Sequence, residues 1–114
     1  MVVEDEFLIR ANAIDMIAAA GFDVVEAANA EEAISILESR NDIRIVFTDV
    51  HMPGSVDGLK LAHAVRDRWP PVKLIATSGR PIIPESELPS GSPFVRKPYE
   101  PFEIARALHG FGSS

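Results

Sequence analysis

An α/β fold, with a single doubly wound parallel sheet covered by helices on both faces, is what this sequence predicts, and three observations predict it. Short β-branched runs alternate with longer stretches of helical period, the pattern of strand and covering helix taken in turn. Glycine and proline punctuate the ends of those stretches. Carboxylates, hydroxyls and a lysine collect at the carboxyl ends of the runs, which is the edge where a parallel sheet opens to ligands.

The strands are read at Met1-Val2-Val3, at Phe22-Asp23-Val24-Val25, from Ile43 to Phe47, from Val72 to Ala76 and at the short pair Phe94-Val95. Each is rich in β-branched or aromatic residues, which suit a pleated, half-buried surface. Between the first two, Glu6 to Ala20 carries Ile14, Ile17 and Ala18 at i, i+3 and i+4, and Gly21 follows where a left-handed cap ends a helix. Asn29 stands before Ala30-Glu31-Glu32 as an N-cap with glutamate three residues on, and Ala30, Ala33, Ile34 and Leu37 line one face of the second helix. Asp57 caps a third helix through Leu61, Val65 and Trp69, which Pro70-Pro71 must stop because proline lacks the amide and clashes with the preceding turn. Pro101 opens a last helix whose stripe is Ile104, Leu108 and Phe111. From Gly79 to Pro93 the rhythm breaks, since Pro81, Pro84, Pro89 and Pro93 leave at most a turn around Glu85 to Leu88. A fourth helix in that interval is therefore expected to be short or missing.

Composition narrows the function classes. A chain of 114 residues, 46% hydrophobic and 25% charged, has the make-up of one ordinary globular domain, read here as spanning 1–114. No apolar run approaches the roughly 20 residues of a membrane-crossing helix, and nothing at the N-terminus reads as a signal peptide, so the expectation is a cytoplasmic protein with no membrane partner. With no cysteine, thiolate metal sites and thiol catalysis drop out. The net charge is -6 and the 11 basic residues are scattered, whereas phosphate-backbone binding needs concentrated positive charge. Direct nucleic-acid binding is disfavoured, and cations are the natural guests.

Four groups fall at the ligand edge: Glu4-Asp5-Glu6 after the first strand, Thr48-Asp49 after the third, Thr77-Ser78-Gly79 after the fourth and Arg96-Lys97-Pro98 after the fifth. Two carboxylates about 5 Å apart repel by roughly 3 kcal/mol at an effective dielectric near 20, so gathered acids demand positive charge among them. A hard divalent cation meets that demand, and Mg²⁺ tolerates few carboxylates because it keeps several waters. Lysine adds a compact point charge. A carboxylate beside such a cation is a competent nucleophile for phosphoryl transfer. Other polar residues read more plainly. Glu6, Glu31 and Glu32 suit helix amino ends, His63 and His109 suit solvated helix surface, Trp69 and Phe102 suit the core or its rim, and Thr48 suits a strand interior.

Val2-Val3-Glu4-Asp5-Glu6, Phe47 to Gly54 with Asp57-Gly58 following, Ala76-Thr77-Ser78-Gly79, and Phe94-Val95-Arg96-Lys97-Pro98-Tyr99 together resemble the bacterial response-regulator receiver domain along essentially the whole chain. The resemblance implies a flavodoxin-like (βα)5 fold with strand order 2-1-3-4-5. It makes Asp49 the phosphoacceptor, Asp5 the direct ligand of Mg²⁺ (with Mn²⁺ as substitute), Glu4 a ligand through water, and the backbone carbonyl of His51 a further ligand. Lys97 would pair with Asp49 and then with the phosphoryl group, and Phe94 would be the switch aromatic. Ser78 would be the switch hydroxyl, with Thr77 the alternative because alternation at a strand end places either one on the site. His51 and Arg80 would edge the site and modulate the lifetime of the phosphoryl group. Two departures stand out: the first strand begins almost at Met1, and prolines replace much of the usual fourth helix.

The function these readings imply is a two-component signalling switch, not an enzyme, taking its phosphoryl group from a histidine kinase or histidine phosphotransfer protein. Its downstream partner is open, as is the choice between a stand-alone regulator and part of a longer protein. Two competing classes remain. An aspartate-nucleophile phosphohydrolase would want a carboxylate two residues past the nucleophile, where this chain has His51. A phosphate-indifferent binding module has no use for Asp5, Asp49 and Lys97 together.

Overall fold

Successive residues of a strand point to opposite faces of their sheet, so a run of adjacent apolar residues feeds two cores at once, and that is how this chain is built. The computed structural model describes residues 1–50, 58–79, 88–89 and 91–112. Its elements run β1 (Val2–Val3), α1 (Phe7–Ala19), β2 (Glu26–Ala27), α2 (Ala30–Ser39), β3 (Ile45–Asp49), α3 (Gly58–Arg68), β4 (Lys73–Ser78), β5 (Phe94–Arg96) and α4 (Pro101–Gly112). The five strands form one sheet in the order β2-β1-β3-β4-β5, and every pairing is parallel. The doubly wound fold and its strand order are as expected. Among the described residues there are four helices. The shortened helix expected after Gly79 falls on 80–87, outside the described residues, as do His51, Asp57 and Arg80 and the side chain of Phe111.

Val3, Val46 and Leu74 turn to one face and pack with Ala30, Ala33 and Leu37 of α2 and Leu61, Ala62 and Val65 of α3. Their chain neighbours Val2, Phe47 and Ile75 turn to the other, meeting Ala13 and Ile17 of α1 and Ile104 and Leu108 of α4. Ile75 and Ile104 are wholly buried, and each such side chain stabilises the fold by about 1.5–3 kcal/mol relative to exposure.

Three local expectations are corrected. The second strand lies at Glu26–Ala27, not at 22–25. As an edge strand it pairs with β1 alone, and Val2 aligns with Glu26 and Val3 with Ala27. Phe22 and Val24 instead pack against the core without joining the ladder. On α1 the buried positions are Ala13 and Ile17, with Ile14, Met16 and Ala20 partly buried, while Ala18 faces solvent. The chain leaves α1 through Gly21 at φ +99°, a conformation that costs glycine little. The cap of α2 is as read: Asn29 Oδ1 accepts from the Glu32 amide at 2.8 Å, and Glu32 Oε1 accepts from Ala28 N at 3.3 Å. Trp69 packs at the core's rim and His63 and His109 are exposed, as expected. Phe102 is a third correction. It is 62% exposed, beside Phe7 at 68% and Leu8 at 79%, because α4 spends its inward face on Ile104 and Leu108.

Gly58, first residue of α3, has no room for a side chain. A Cβ there would collide with the backbone carbonyl oxygen of Asp49 and would lie 2.6 Å from Val50 Cα. The start of α3 is thereby seated on the backbone of β3's last residue. Gly58→Ala is expected to lower stability by about 3 kcal/mol, read as a fall in the urea midpoint at constant slope. An unchanged midpoint would show that the helix start can slide.

Candidate functional site

Parallel pairing aligns the carboxyl ends of β1, β3, β4 and β5 on one edge of the sheet, and the polar residues that follow those strands meet there. Carboxylate oxygens of Glu4, Asp5 and Asp49 all lie within 4.8 Å of one another. Lys97, just past β5, sends its ammonium between two of them: Nζ is 2.5 Å from Glu4 Oε1 and 2.8 Å from Asp49 Oδ2. Glu4 Oε2 accepts from the Glu6 amide at 3.2 Å. Glu4 and Asp49 are buried, with 4% and 6% of their side-chain surface exposed, and Asp5 is more open. The expected convergence of Asp5, Asp49 and Lys97 is thus present, and Glu4 joins it through a direct bond to Lys97 that sequence reasoning did not foresee.

Burial pushes the Glu4 carboxyl above its ordinary range, even against the hydrogen bond from Lys97. Burial also opposes the charge on Lys97, but its bonds to Asp49 and Glu4 outweigh that and hold the ammonium above its usual pKa. Each carboxylate pair at this separation repels by roughly 3 kcal/mol at an effective dielectric near 20. Among the described residues of the cluster, three carboxylates against one ammonium give an excess of two negative charges. A hard cation of charge two with oxygen ligands fits that donor set and that excess.

The neighbouring strand end presents the hydroxyls. Ser78 and Thr77 are both buried. Lys97 N donates to Ser78 O at 3.1 Å, so Ser78 is bonded to the residue whose ammonium grips Asp49. Thr77 is aligned in register with Asp49, and its Oγ1 has no hydrogen-bond partner among the described residues. Phe94, aligned with Ala76, packs against the small cluster of Val50, Ala76 and Leu88. Thr48 is a buried strand residue whose hydroxyl donates to Asp49 O at 2.9 Å. The positions of His51 and Arg80 lie outside the described residues.

Two residues given no role in the sequence reading adjoin the cluster. Arg10, in the first turn of α1, donates from Nη1 to the backbone carbonyl of Glu4 at 2.8 Å and from Nε to Glu26 Oε1 at 2.9 Å. An arginine in a helix gives no sequence signal of such a bond. Tyr99 is buried, edge-on to Phe47 at 5.5 Å, and burial pushes its phenol up to about 12. Its place two residues after Lys97 was the available clue.

The profile of the response regulator receiver domain matches residues 1–109. The aerobic respiration control protein ArcA of Escherichia coli K12 is 33% identical over 107 residues, 91% of this chain and 44% of that protein. The sensor kinase CckA of Brucella abortus is 36% identical over 80 residues, 69% of this chain and 8% of that protein. The chain thus spans less than half the length of these curated relatives. Among solved structures, the receiver domain of NtrX from Brucella abortus superposes with a TM-score of 0.86 at 26% identity, covering 99% of this chain and 98% of that one. A response regulator receiver protein from Sinorhizobium medicae shares the fold with a TM-score of 0.88 at 24% identity, covering 96% and 89%.

Two measurements follow from the burial of these side chains. Tyr99 is the only tyrosine, so tyrosinate absorbance reports on it alone. With its folded pKa raised to about 12 from 10.0, the phenol contributes stability that is full below pH 10 and lost as pH climbs toward 12. At pH 10.5 the folded protein is expected to show little tyrosinate signal, which jumps when urea unfolds it; equal signals in the two states would refute the assignment. Thr77→Val replaces an unpartnered buried hydroxyl with a methyl of the same shape, and a gain of about 1 kcal/mol in unfolding free energy is expected. A loss would mean that the hydroxyl has a partner after all.

Proposed function

This chain belongs to the response regulator receiver domain family, and from that premise we propose that Asp49 accepts a phosphoryl group in a Mg²⁺-dependent reaction and so switches a two-component signalling pathway. The observation that carries the reading is the grip of Lys97 on Asp49 within a cluster of three carboxylates.

Glu4, Asp5 and Asp49 would hold Mg²⁺, or Mn²⁺ in its place, together with the backbone carbonyl of His51. When bound, the ion supplies Lewis-acid stabilisation of the charge that develops on the transferring phosphoryl oxygens. The protein's own groups do the rest. An Asp49 carboxylate oxygen attacks phosphorus, the bond from phosphorus to the donor imidazole breaks, and the imidazole departs with a proton. Lys97 holds Asp49 before transfer and pairs with a phosphoryl oxygen afterwards. Ser78 donates a hydrogen bond to the new group, a role supported by its backbone bond to Lys97. Phe94 then repacks on its small apolar cluster. New charge-assisted contacts of this kind shift a conformational equilibrium by a few kcal/mol. Thr77 is the second reading for the hydroxyl, favoured by its register with Asp49 and by an oxygen with no partner among the described residues. His51 and Arg80 are assigned to the lifetime of the modified state from their sequence positions.

The donor is a histidine kinase or a histidine phosphotransfer protein. Phe7 and Leu8 at the start of α1 and Phe102 at the start of α4 are exposed on helices that pack together and that begin at the edge carrying Asp49, so a donor reaching that carboxylate meets an apolar rim. The domain, taken as 1–114, acts in the cytoplasm as a regulator and not as a turnover enzyme. Among the described residues no helix is long and apolar enough to cross a membrane.

Incubation with a small phosphodonor and Mg²⁺, followed by intact-mass measurement, is expected to add one phosphoryl group to the wild type and none to Asp49→Asn or to the wild type in EDTA. Sustained release of phosphate would favour a hydrolase, and no mass gain would favour a phosphate-indifferent module. Ser78→Ala and Thr77→Val both accept the group, and the one that loses the accompanying conformational change identifies the hydroxyl.

A further inference from the structure

The peptide joining Glu4 to Asp5 links two of the three clustered carboxylates, and its carbonyl lies beyond the ladder. The last aligned residue of β1 is Val3, paired with Ala27 on one side and Thr48 on the other. Glu4 N still donates to Ala27 O at 3.1 Å, but Glu4 O is taken by Arg10 Nη1 at 2.8 Å. Rotation about either backbone torsion that flanks this peptide would swing the Glu4 and Asp5 side chains relative to each other and to Asp49. Arg10 is well placed to stop it. Its side chain is 13% exposed, its Nε is anchored by Glu26 Oε1 at 2.9 Å, and its guanidinium carbon lies 5.6 Å from the centre of the Phe7 ring. Its own backbone is fixed in the helix by the bond from Arg10 N to Glu6 O at 2.9 Å. The planar guanidinium presents donors in fixed directions, so one side chain ties the loop between β1 and α1 to the first residue of β2.

We infer that Arg10 is a positioning residue for divalent-cation binding, fixing the Glu4-Asp5 peptide so that the carboxylates are gathered before the ion arrives. The inference rests on the reading of Glu4, Asp5 and Asp49 as a cation site. Its sign separates positioning from charge. Arg10 carries a positive charge, and a positive charge near three carboxylates opposes cation binding; removing it as a charge tightens the site, and removing it as a clamp loosens it.

The test is Mn²⁺ affinity of the unphosphorylated protein at pH 7, from the spin-resonance signal of free Mn²⁺, in wild type, Arg10→Gln, Arg10→Lys, Glu26→Gln and the remote core variant Leu37→Ala. Groups that orient metal ligands typically contribute 10–100-fold to affinity, so Arg10→Gln is expected to bind about tenfold more weakly. Arg10→Lys keeps the charge without the fork and is expected to recover only part of that loss, Glu26→Gln to lose roughly twofold through its weaker neutral bond, and Leu37→Ala to bind as wild type does. Binding by Arg10→Gln that equals or exceeds wild type overturns the inference, as does a loss in Leu37→Ala as large as that in Arg10→Gln, which would make affinity a reflection of overall stability. Should Arg10→Gln fail to fold, Glu26→Gln decides, and unchanged affinity there overturns it. Wild type failing to bind Mn²⁺ at all sinks the reading of the cation site itself, a result distinct from a wild type that binds and an Arg10 variant that binds as well.

Discussion

The ammonium of Lys97 holds the carboxylates of two other strand ends at 2.5 and 2.8 Å, and the rest of the edge is arranged around that contact. Without it, buried Glu4 and Asp49 would face each other and Asp5 across gaps short enough for strong repulsion. With it, the cluster is still two charges short of neutral. That residue of negative charge is what a divalent cation would answer, and it exists because the fold gathers three acids around one lysine. Stability alone would not favour such an arrangement, since buried ions cost more to desolvate than imperfect pairing returns. Buried charge of this kind marks the edge as a candidate site.

The sheet makes this affordable by separating duties along each strand. Residues in the strand bodies alternate between two apolar cores, while the polar chemistry is confined to the last one or two positions, where the chain is about to leave the sheet. The contact between Gly58 and the backbone of Asp49 and Val50 adds a mechanical link, for the helix that follows β3 begins against the very backbone that carries the central carboxylate. Displacement of that backbone is therefore passed to α3 without an intervening side chain to absorb it.

Much of this was legible in the chain, for reasons that differ by element. Helix α2 was readable in full because its cap, its acidic first turn and its apolar stripe all point the same way. Helix α1 misled by one ridge, since alanines and isoleucines occupy adjacent rows and periodicity alone does not choose between Ile14-Ala18 and Ala13-Ile17. The β2 ladder was misplaced because an edge strand's extent is set by its single neighbour: Val25 reaches β1 only through its carbonyl, which accepts from Val2 N at 2.8 Å, while Phe22 and Val24 pack against the core. Phe102 was assigned inward on residue type, although Ile104 and Leu108 already filled the face that α4 turns to the sheet. At the site, the meeting of Asp5, Asp49 and Lys97 followed from residue types at strand ends. The bonds of Glu4 to Lys97 and of Arg10 to the Glu4 carbonyl did not, because each depends on a long side chain choosing among several partners in reach.

The placement of the two largest phenol and indole side chains has a practical side. Tyr99 follows the last strand at the acidic edge, and Trp69 follows α3 at the opposite edge, just before β4 begins. Being the sole examples of their types, they give the molecule one intrinsic fluorophore at each pole of the sheet. Events at the acidic end can thus be followed optically apart from those at the far end, without attaching any label.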